Sequence, residues 1–236
     1  QGADPQENPC LSYGEPPPPF PDSANHWSKA FLARLQRTTS LPEGLPIIIG
    51  YPGDRGKVEF VFLPDRPISR FELLKIALLG NCIPLLGIQS EPPAKDFADL
   101  SLQPGSTEDS DTSLRRRVVA TALEKGIVEG YPDGTFRANA PINRAEALKI
   151  FLLAARLPPP SDPTELPSLG FTDTVSSAWF APYAREALYY DLIEGYGDGT
   201  FRPGNPITRA EAAKLLLLTI LENPRINGYV IPAEGL

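Results

Sequence analysis

The chain has 236 residues with a formal net charge of −7, and 42% of its residues are hydrophobic. This composition supplies a core and excludes collagen-like and wholly disordered chains. The most apolar stretch, Leu215 to Leu221, is far shorter than the roughly 18–20 residues of a membrane-spanning helix, so we expect no membrane span. The acidic balance, relieved by a short basic run at Arg115–Arg117, argues against a nucleic-acid partner.

Residues 1–19 read as a proline-rich amino-terminal arm. The chain begins with Gln1 and contains no methionine, so we expect that any secretory signal has been removed. The two cysteines, Cys10 and Cys82, allow one pairing and match no metal-binding spacing. In an exported protein we expect them to form a disulfide that ties the arm to the body. The alternative is a pair of free thiols.

Three related segments follow the arm. Two align without gaps, EGYPDGTFRANAPINRAEALKI from Glu129 and EGYGDGTFRPGNPITRAEAAKL from Glu194, and a more divergent copy with an enlarged turn starts at Gly50. Such internal repetition indicates units that bury their apolar faces against one another. We assign residues 20–89 to the first repeat, 90–156 to the second, 157–222 to the third, and 223–236 to a carboxy-terminal tail.

Each repeat is predicted to contain a helix, a glycine-rich turn, a short strand or extended stretch, and a second helix. The second helix has a capping signature, in which a small polar residue and the glutamate three positions later satisfy each other's backbone amides. This spacing explains the glutamates as caps rather than as catalytic carboxylates. The pairs are Ser69 with Glu72, Asn143 with Glu146, and Thr208 with Glu211.

These motifs resemble the S-layer homology (SLH) family, whose marks are a Phe-x-Asp start, a Trp in the first helix, and GYxDGTFxPxxxITRAE. The third copy matches almost throughout, with FTD, Trp179 and GYGDGTFRPGNPITRAE; the second matches in its second half, and the first departs most. The resemblance implies an all-α fold of three helix-turn-helix repeats packed as a pseudo-threefold trimer within one chain. It also implies a secreted, non-catalytic module of the bacterial cell wall that binds a polysaccharide carrying pyruvate ketals and needs no cofactor.

Three arginines follow the capping residues, at the first position of each second helix: Arg70, Arg144 and Arg209. A helix start offers unsatisfied amides and partial positive charge, and a guanidinium fork fits a carboxylate. We therefore expect these arginines to bind the acid-bearing sugar. The alternative is that they pair with acidic side chains of the next repeat.

The two tryptophans, Trp27 and Trp179, are candidates for stacking on a sugar ring, and the alternative is that they anchor the core. Lysines recur six residues after each cap, and we favour a solvent-facing interpretation over a groove. The turn aspartates lack the spacing of a calcium loop and are interpreted as turn residues. His26 has no second histidine or cysteine pair that would make a metal site. The lysines are Lys75, Lys149 and Lys214, and the aspartates are Asp54, Asp133 and Asp198.

Two further functions remain open. The same repeats would also suit a protein–protein assembly module that contacts other surface-layer proteins, and the divergent first copy slightly favours this alternative. A glycosidase would need two convergent carboxylates, and the chain contains no GxSxG, HExxH or P-loop motif.

Overall fold

Helices and short antiparallel strands both occur in the chain. The computed structural model describes residues 10–15, 17–53, 60–87, 97–100, 110–160 and 168–222. The described helices are α1 (Lys29–Gln36), α2 (Arg70–Gly80), α3 (Ser110–Glu124), α4 (Arg144–Ala155), α5 (Ala181–Tyr189) and α6 (Arg209–Glu222). The described strands are β1 (Leu11–Tyr13), β2 (Thr38–Ser40), β3 (Leu45–Pro46), β4 (Tyr51–Pro52) and β5 (Phe60–Val61).

The two sheets show that the prediction of an all-α fold was wrong. One sheet has the order β1-β2-β3 and the other pairs β4 with β5, all antiparallel. Four of these strands lie between α1 and α2, where the first repeat is enlarged, and β1 comes from the amino-terminal arm. The first repeat has additional residues at this point, many of them apolar or β-branched, and these residues favour short strands.

The short strand predicted as one option after each turn does not form in the second and third repeats. The segments around Phe136 and Phe201 are irregular, because Arg137 and Arg202 adopt left-handed backbone conformations with φ of 60° and 57°. A residue in this region interrupts a strand.

The starts of α2, α4 and α6 carry side-chain caps. Glu72 N donates to Ser69 Oγ at 3.2 Å, and Ser69 N donates back to Glu72 Oε2 at 3.1 Å. Thr208 and Glu211 make the same reciprocal pair at 3.2 and 3.0 Å. In α4, Glu146 N donates to Asn143 Oδ1 at 2.8 Å. Each cap therefore places the following arginine at the first helical position.

A cyclic set of backbone hydrogen bonds joins the three repeats. Ile68 N donates to Ile207 O at 3.1 Å, Ile207 N to Ile142 O at 3.0 Å, and Ile142 N to Ile68 O at 3.2 Å. Around this centre α2, α4 and α6 contact one another, while α1 packs on α6, α3 on α2 and α5 on α4. Each repeat therefore packs its first helix on the second helix of another repeat. The boundaries assigned to the repeats stay a prediction, and residues 1–9 and 223–236 lie outside the described residues.

The Phe-x-Asp motif fastens each turn to its own repeat. In the third repeat Asp173 accepts hydrogen bonds from Phe201 N at 2.8 Å and Arg202 N at 2.7 Å, and the Phe171 ring lies 5.5 Å from that of Phe201. This clamp holds the left-handed residue in place. The first and second repeats repeat it, with Asp22 bonded to Phe62 N and Leu63 N and Asp99 bonded to Phe136 N and Arg137 N.

Cys10 and Cys82 form a disulfide with a Cα–Cα distance of 5.7 Å. Cys10 immediately precedes β1, and Cys82 follows the carboxyl end of α2. The bond thus fastens the arm to the second helix of the first repeat. Among the described helices, none is both long and apolar enough to cross a bilayer.

Candidate functional site

Each of the three candidate arginines extends from its own helix into the neighbouring repeat. Arg144 of the second repeat lies over two rings of the third, 4.8 Å from the Tyr196 centroid and 5.2 Å from that of Phe201. Its Nε donates to Phe201 O and its Nη1 to Glu211 Oε1, both at 3.0 Å. Tyr196 also donates to Glu211 Oε1, at 2.7 Å. Oε1 of this capping glutamate therefore accepts hydrogen bonds from both an arginine and a tyrosine.

Arg209 makes the corresponding contacts with the first repeat and adds two hydrogen bonds. Its Nε donates to Phe62 O at 2.8 Å, its Nη1 lies 3.2 Å from Glu72 Oε1, and its Nη2 donates to Ile49 O at 2.9 Å. Tyr51 accepts a further bond from Nη1 at 3.2 Å and itself donates to Glu72. Burial lowers the pKa of Arg209, but a guanidinium remains charged at neutral pH.

Arg70 has the fewest partners. It lies over the Tyr131 and Phe136 rings, with centroid distances of 5.1 and 5.0 Å, and its Nη1 is 3.6 Å from Glu146 Oε1. Its side chain is 9% exposed, and its Nε is buried without a hydrogen-bond partner. Within the described part of the chain, this guanidinium donates no hydrogen bond.

The structure therefore contains the glutamate pairing that the sequence left open as the alternative to ligand binding. It also removes one premise of the binding interpretation, because the first helical amides are occupied. Arg144 N donates to Asn205 O at 2.9 Å and Ala145 N to Pro203 O at 3.1 Å. Equivalent bonds occupy the amides of Arg70 and Arg209. Any anion site here must depend on side-chain donors.

A cavity borders each guanidinium, and we name each groove by its arginine. The Arg144 groove has a volume of about 340 Å³, the Arg70 groove about 160 Å³ and the Arg209 groove about 80 Å³. Each is also lined by the tyrosine, the capping glutamate and the lysine of the adjoining repeat. These sets are Tyr196, Glu211 and Lys214; Tyr131, Glu146 and Lys149; and Tyr51, Glu72 and Lys75. All three lysines are thus on groove walls.

The tryptophans lie on two of these walls and outside the core. Trp27 of the first repeat is 53% exposed and lines the Arg144 groove. Trp179 of the third repeat is 55% exposed and lines the Arg70 groove. Each of these grooves is therefore built from all three repeats, which supply the arginine, the tyrosine–glutamate–lysine set and the indole.

Comparison with known proteins assigns two of the repeats to a family. The family model of the S-layer homology domain matches residues 109–148 and 170–213. The two matches lie within the second and third repeats. Both matched segments contain a turn, a capping pair and a groove arginine.

Curated relatives of the chain are surface proteins by name. It is 29% identical over 180 residues, 74% of its length, to cell surface glycoprotein 1 of Acetivibrio thermocellus, and covers 7% of that protein. It is 28% identical over 192 residues, 80% of its length, to the cellulosome-anchoring protein of the same organism, and covers 38% of it. It is 35% identical over 106 residues, 45% of its length, to an uncharacterized cell wall amidase of Bacillus anthracis, and covers 19% of it. The chain thus spans a minor part of each relative.

The tyrosine on the groove wall of the second and third repeats was not among the residues singled out from the sequence, nor was the turn arginine that packs on its ring. Arg202 lies 4.0 Å from the Tyr196 centroid and Arg137 lies 4.0 Å from that of Tyr131, so each of these rings contacts two guanidinium groups. The signal was present, since GYxDGTFR recurs in both well-matched copies. The motif by itself predicts only a turn.

The turn aspartates of these two repeats are occupied by neighbouring side chains. Asp133 accepts from Thr135 Oγ1 at 2.6 Å and from Arg137 Nη2 at 2.8 Å. These bonds lower the pKa of the Asp133 carboxyl to about 2, with the threonine hydroxyl as the largest cause. Asp198 repeats the arrangement with Thr200 and Arg202. Asp54 lies outside the described residues.

The His26 ring bonds to two residues, Ser28 and Asp65. Its Nδ1 lies 2.7 Å from Ser28 Oγ, its Nε2 lies 3.2 Å from Asp65 Oδ1, and its ring is 5.2 Å from that of Trp27. Within the described residues, no three histidine, cysteine or acidic side chains are grouped as metal ligands. His26 thus supports the position of Trp27.

Proposed function

We propose that this chain is a non-catalytic module that attaches a protein to the bacterial cell surface by binding an anionic, ketal-bearing wall polysaccharide in its grooves. The observation that carries the proposal is the shared wall of the Arg144 groove, where a guanidinium, a lysine and an exposed indole border one cavity. The names of the relatives, cell surface glycoprotein and cellulosome-anchoring protein, support the surface location.

The guanidinium supplies recognition of the acid. Arg144 is held in a fixed orientation by Glu211 and the Phe201 carbonyl, and its Nη2 donates no hydrogen bond to a described residue. A pyruvate ketal presents a carboxylate at a fixed angle to its sugar, which a pre-oriented guanidinium binds with charge-assisted hydrogen bonds. Lys214 lies on the same wall, with its Nζ 3.2 Å from Glu194 Oε1.

The indole supplies recognition of the sugar ring. About half of the Trp27 surface is exposed. Its large apolar ring therefore stays in contact with water unless a ligand packs on it. The C–H face of a pyranose is flat and apolar, as an indole requires. The groove therefore combines a charged contact for the ketal with an aromatic contact for the ring.

The net charge of −7 gives an anionic polymer no long-range attraction. Recognition must come from short-range contacts in the grooves, so we expect modest affinity at each. A polymer that carries many ketals reaches more than one groove at a time, which raises overall affinity without new contacts.

The capping glutamates support the non-catalytic assignment. The Glu146 carboxylate accepts from the Tyr131 hydroxyl at 3.0 Å and lies 3.6 Å from Arg70 Nη1. Glu211 and Glu72 likewise accept from a tyrosine hydroxyl and pair with an arginine, and each also accepts from the backbone amide of its capping residue. A glycosidase needs one carboxyl group free to protonate the substrate and a second one opposite it, whereas these carboxylates are occupied as structural acceptors. The name of the amidase relative describes a protein of which this chain covers 19%.

Co-sedimentation with wall fragments tests the proposal. Fragments that retain the secondary polysaccharide are expected to pellet the protein, and fragments stripped of that polymer are not. Arg144→Gln is expected to reduce pelleting, whereas Arg156→Gln, which removes the same charge at the exposed end of α4, is expected to leave it unchanged. Equal pelleting with both fragments would contradict the proposal and favour assembly with a wall-associated protein.

A further inference from the structure

We propose that the acid-bearing sugar binds in the Arg70 and Arg144 grooves and that the Arg209 groove is closed to it by the enlarged first repeat. This inference rests on the proposed function and assigns that function to particular grooves. Two independent features separate the grooves, namely the free donors of each arginine, which depend on the chain that lies against it, and the aromatic wall.

The three arginines differ most in how many guanidinium nitrogens already donate to the protein. All three nitrogens of Arg209 donate to protein acceptors. Arg144 uses Nε and Nη1, and its Nη2 has no acceptor among the described residues. Arg70 makes no hydrogen bond to a described residue although its side chain is nine-tenths buried. A guanidinium nitrogen that already donates to the protein must give up that bond to bind a ligand, so an arriving carboxylate finds unoccupied donors at Arg70 and Arg144 and none at Arg209.

The acceptor that occupies the last donor of Arg209 belongs to the first repeat. Ile49 O accepts from Arg209 Nη2, which corresponds to the nitrogen that Arg144 leaves free. Ile49 stands two residues before Tyr51, where the other repeats have Glu129 and Glu194. The pairing of β4 with β5 begins at Tyr51. The added strands therefore hold a carbonyl where a ligand oxygen would have to lie.

The volumes and lining residues of the grooves also disfavour sugar binding beside Arg209. The Arg209 groove is the smallest, at about 80 Å³, and its wall includes Ile47, Ile48, Ile49 and Ile76. The other two grooves have an exposed tryptophan. The chain has two tryptophans, and neither is among the described lining of the Arg209 groove. That groove thus has neither a free guanidinium nitrogen nor an indole.

Isoleucine methyl groups report on all three grooves in one measurement. In a chain labelled with ¹³C at isoleucine δ1, Ile150 lines the Arg70 groove, Ile193 the Arg144 groove, and Ile49 and Ile76 the Arg209 groove. The probe is a methyl hexopyranoside that carries a 4,6-pyruvate ketal, and the control is the same glycoside without the ketal. We expect saturable shifts at Ile150 and Ile193 with the ketal alone, and none at Ile49 and Ile76.

The two tryptophan variants serve as matched controls for each other. Trp179→Ala is expected to weaken binding reported by Ile150 roughly tenfold and to leave binding reported by Ile193 unchanged, and Trp27→Ala is expected to do the reverse. Both side chains are about half exposed, so we expect both variants to keep the fold. Saturable shifts at Ile49 and Ile76 equal to those at the other reporters would overturn this inference alone. No shift at any reporter would overturn the proposed function, and this inference with it.

Discussion

At the scale of single residues, one arginine position has different surroundings in the three repeats. The sequence places Arg70, Arg144 and Arg209 identically, directly after a cap. The partners of each guanidinium come from another repeat, at a distance along the chain that the capping signature does not encode. The sequence therefore predicts the position of each arginine on its helix but not the groups that its side chain binds.

The different surroundings predict different contributions to stability. Arg209→Ala removes four hydrogen bonds from a buried guanidinium and leaves Glu72 without its ion pair. We expect it to lower the free energy of unfolding by about 2–4 kcal/mol. Arg70→Ala removes no hydrogen bond to a described residue and should cost at least about 1 kcal/mol less. Urea denaturation of both variants measures the difference, and equal losses would contradict this account of the donors.

The turn aspartates predict a specific pH dependence. The Asp133 carboxyl has its pKa lowered from 3.8 to about 2 in the folded protein, so its bonds stabilise the fold above the pKa of the unfolded chain and are lost as the pH falls towards 2. We expect a carboxyl ¹³C titration of Asp133 and Asp198 to show midpoints close to 2, with Thr135→Ala raising that of Asp133. Midpoints near 3.8 in the unmodified protein would show that the turn bonds are absent.

At the scale of elements, the helix starts were predictable and the sheets were not. A capping pair such as Thr208 and Glu211 lies within four residues, so its signal is local. The strands are two or three residues long, which is too short for an alternating pattern, and β1 pairs with β2 across a helix. Their formation depends on tertiary contacts rather than on local preference.

The glycine-rich turns allow a matched test of packing. Gly130 and Gly134 have similar positive φ values of 75° and 78°, but a Cβ at Gly130 would lie 2.2 Å from the Phe97 ring while one at Gly134 would meet nothing within 4 Å. Gly134→Ala should cost about 1–2 kcal/mol through backbone strain alone. Gly130→Ala should cost about 1–3 kcal/mol more, because the ring must move. Thermal unfolding of the two variants compares them, and equal losses would show that the phenylalanine does not hold the turn.

At the scale of the whole molecule, the repeats form a closed cycle in which each depends on the other two. The repetition predicted that the units pack together, but the order of packing, α1 on α6, α3 on α2 and α5 on α4, needed the structure. The closed cycle explains why two grooves take residues from all three repeats. A truncated chain of two repeats would lack complete grooves.

The disulfide fastens the arm to this cycle across a separation of 72 residues. The double variant Cys10→Ser and Cys82→Ser should lower the free energy of unfolding by about 2–4 kcal/mol. Circular dichroism should still show folded helices, because the cyclic contacts among α2, α4 and α6 do not involve the bond. Helix loss at 25 °C in the variant would show that the arm is needed for the cycle itself.

The central claim is that fixed guanidinium groups bind a sugar through its ketal carboxylate. Calorimetric titration of the chain with purified wall polysaccharide, before and after selective removal of the ketal by mild acid, tests it most directly. We predict measurable binding to the intact polymer and at least roughly tenfold weaker binding after ketal removal. Unchanged affinity for the ketal-free polymer would contradict the claim.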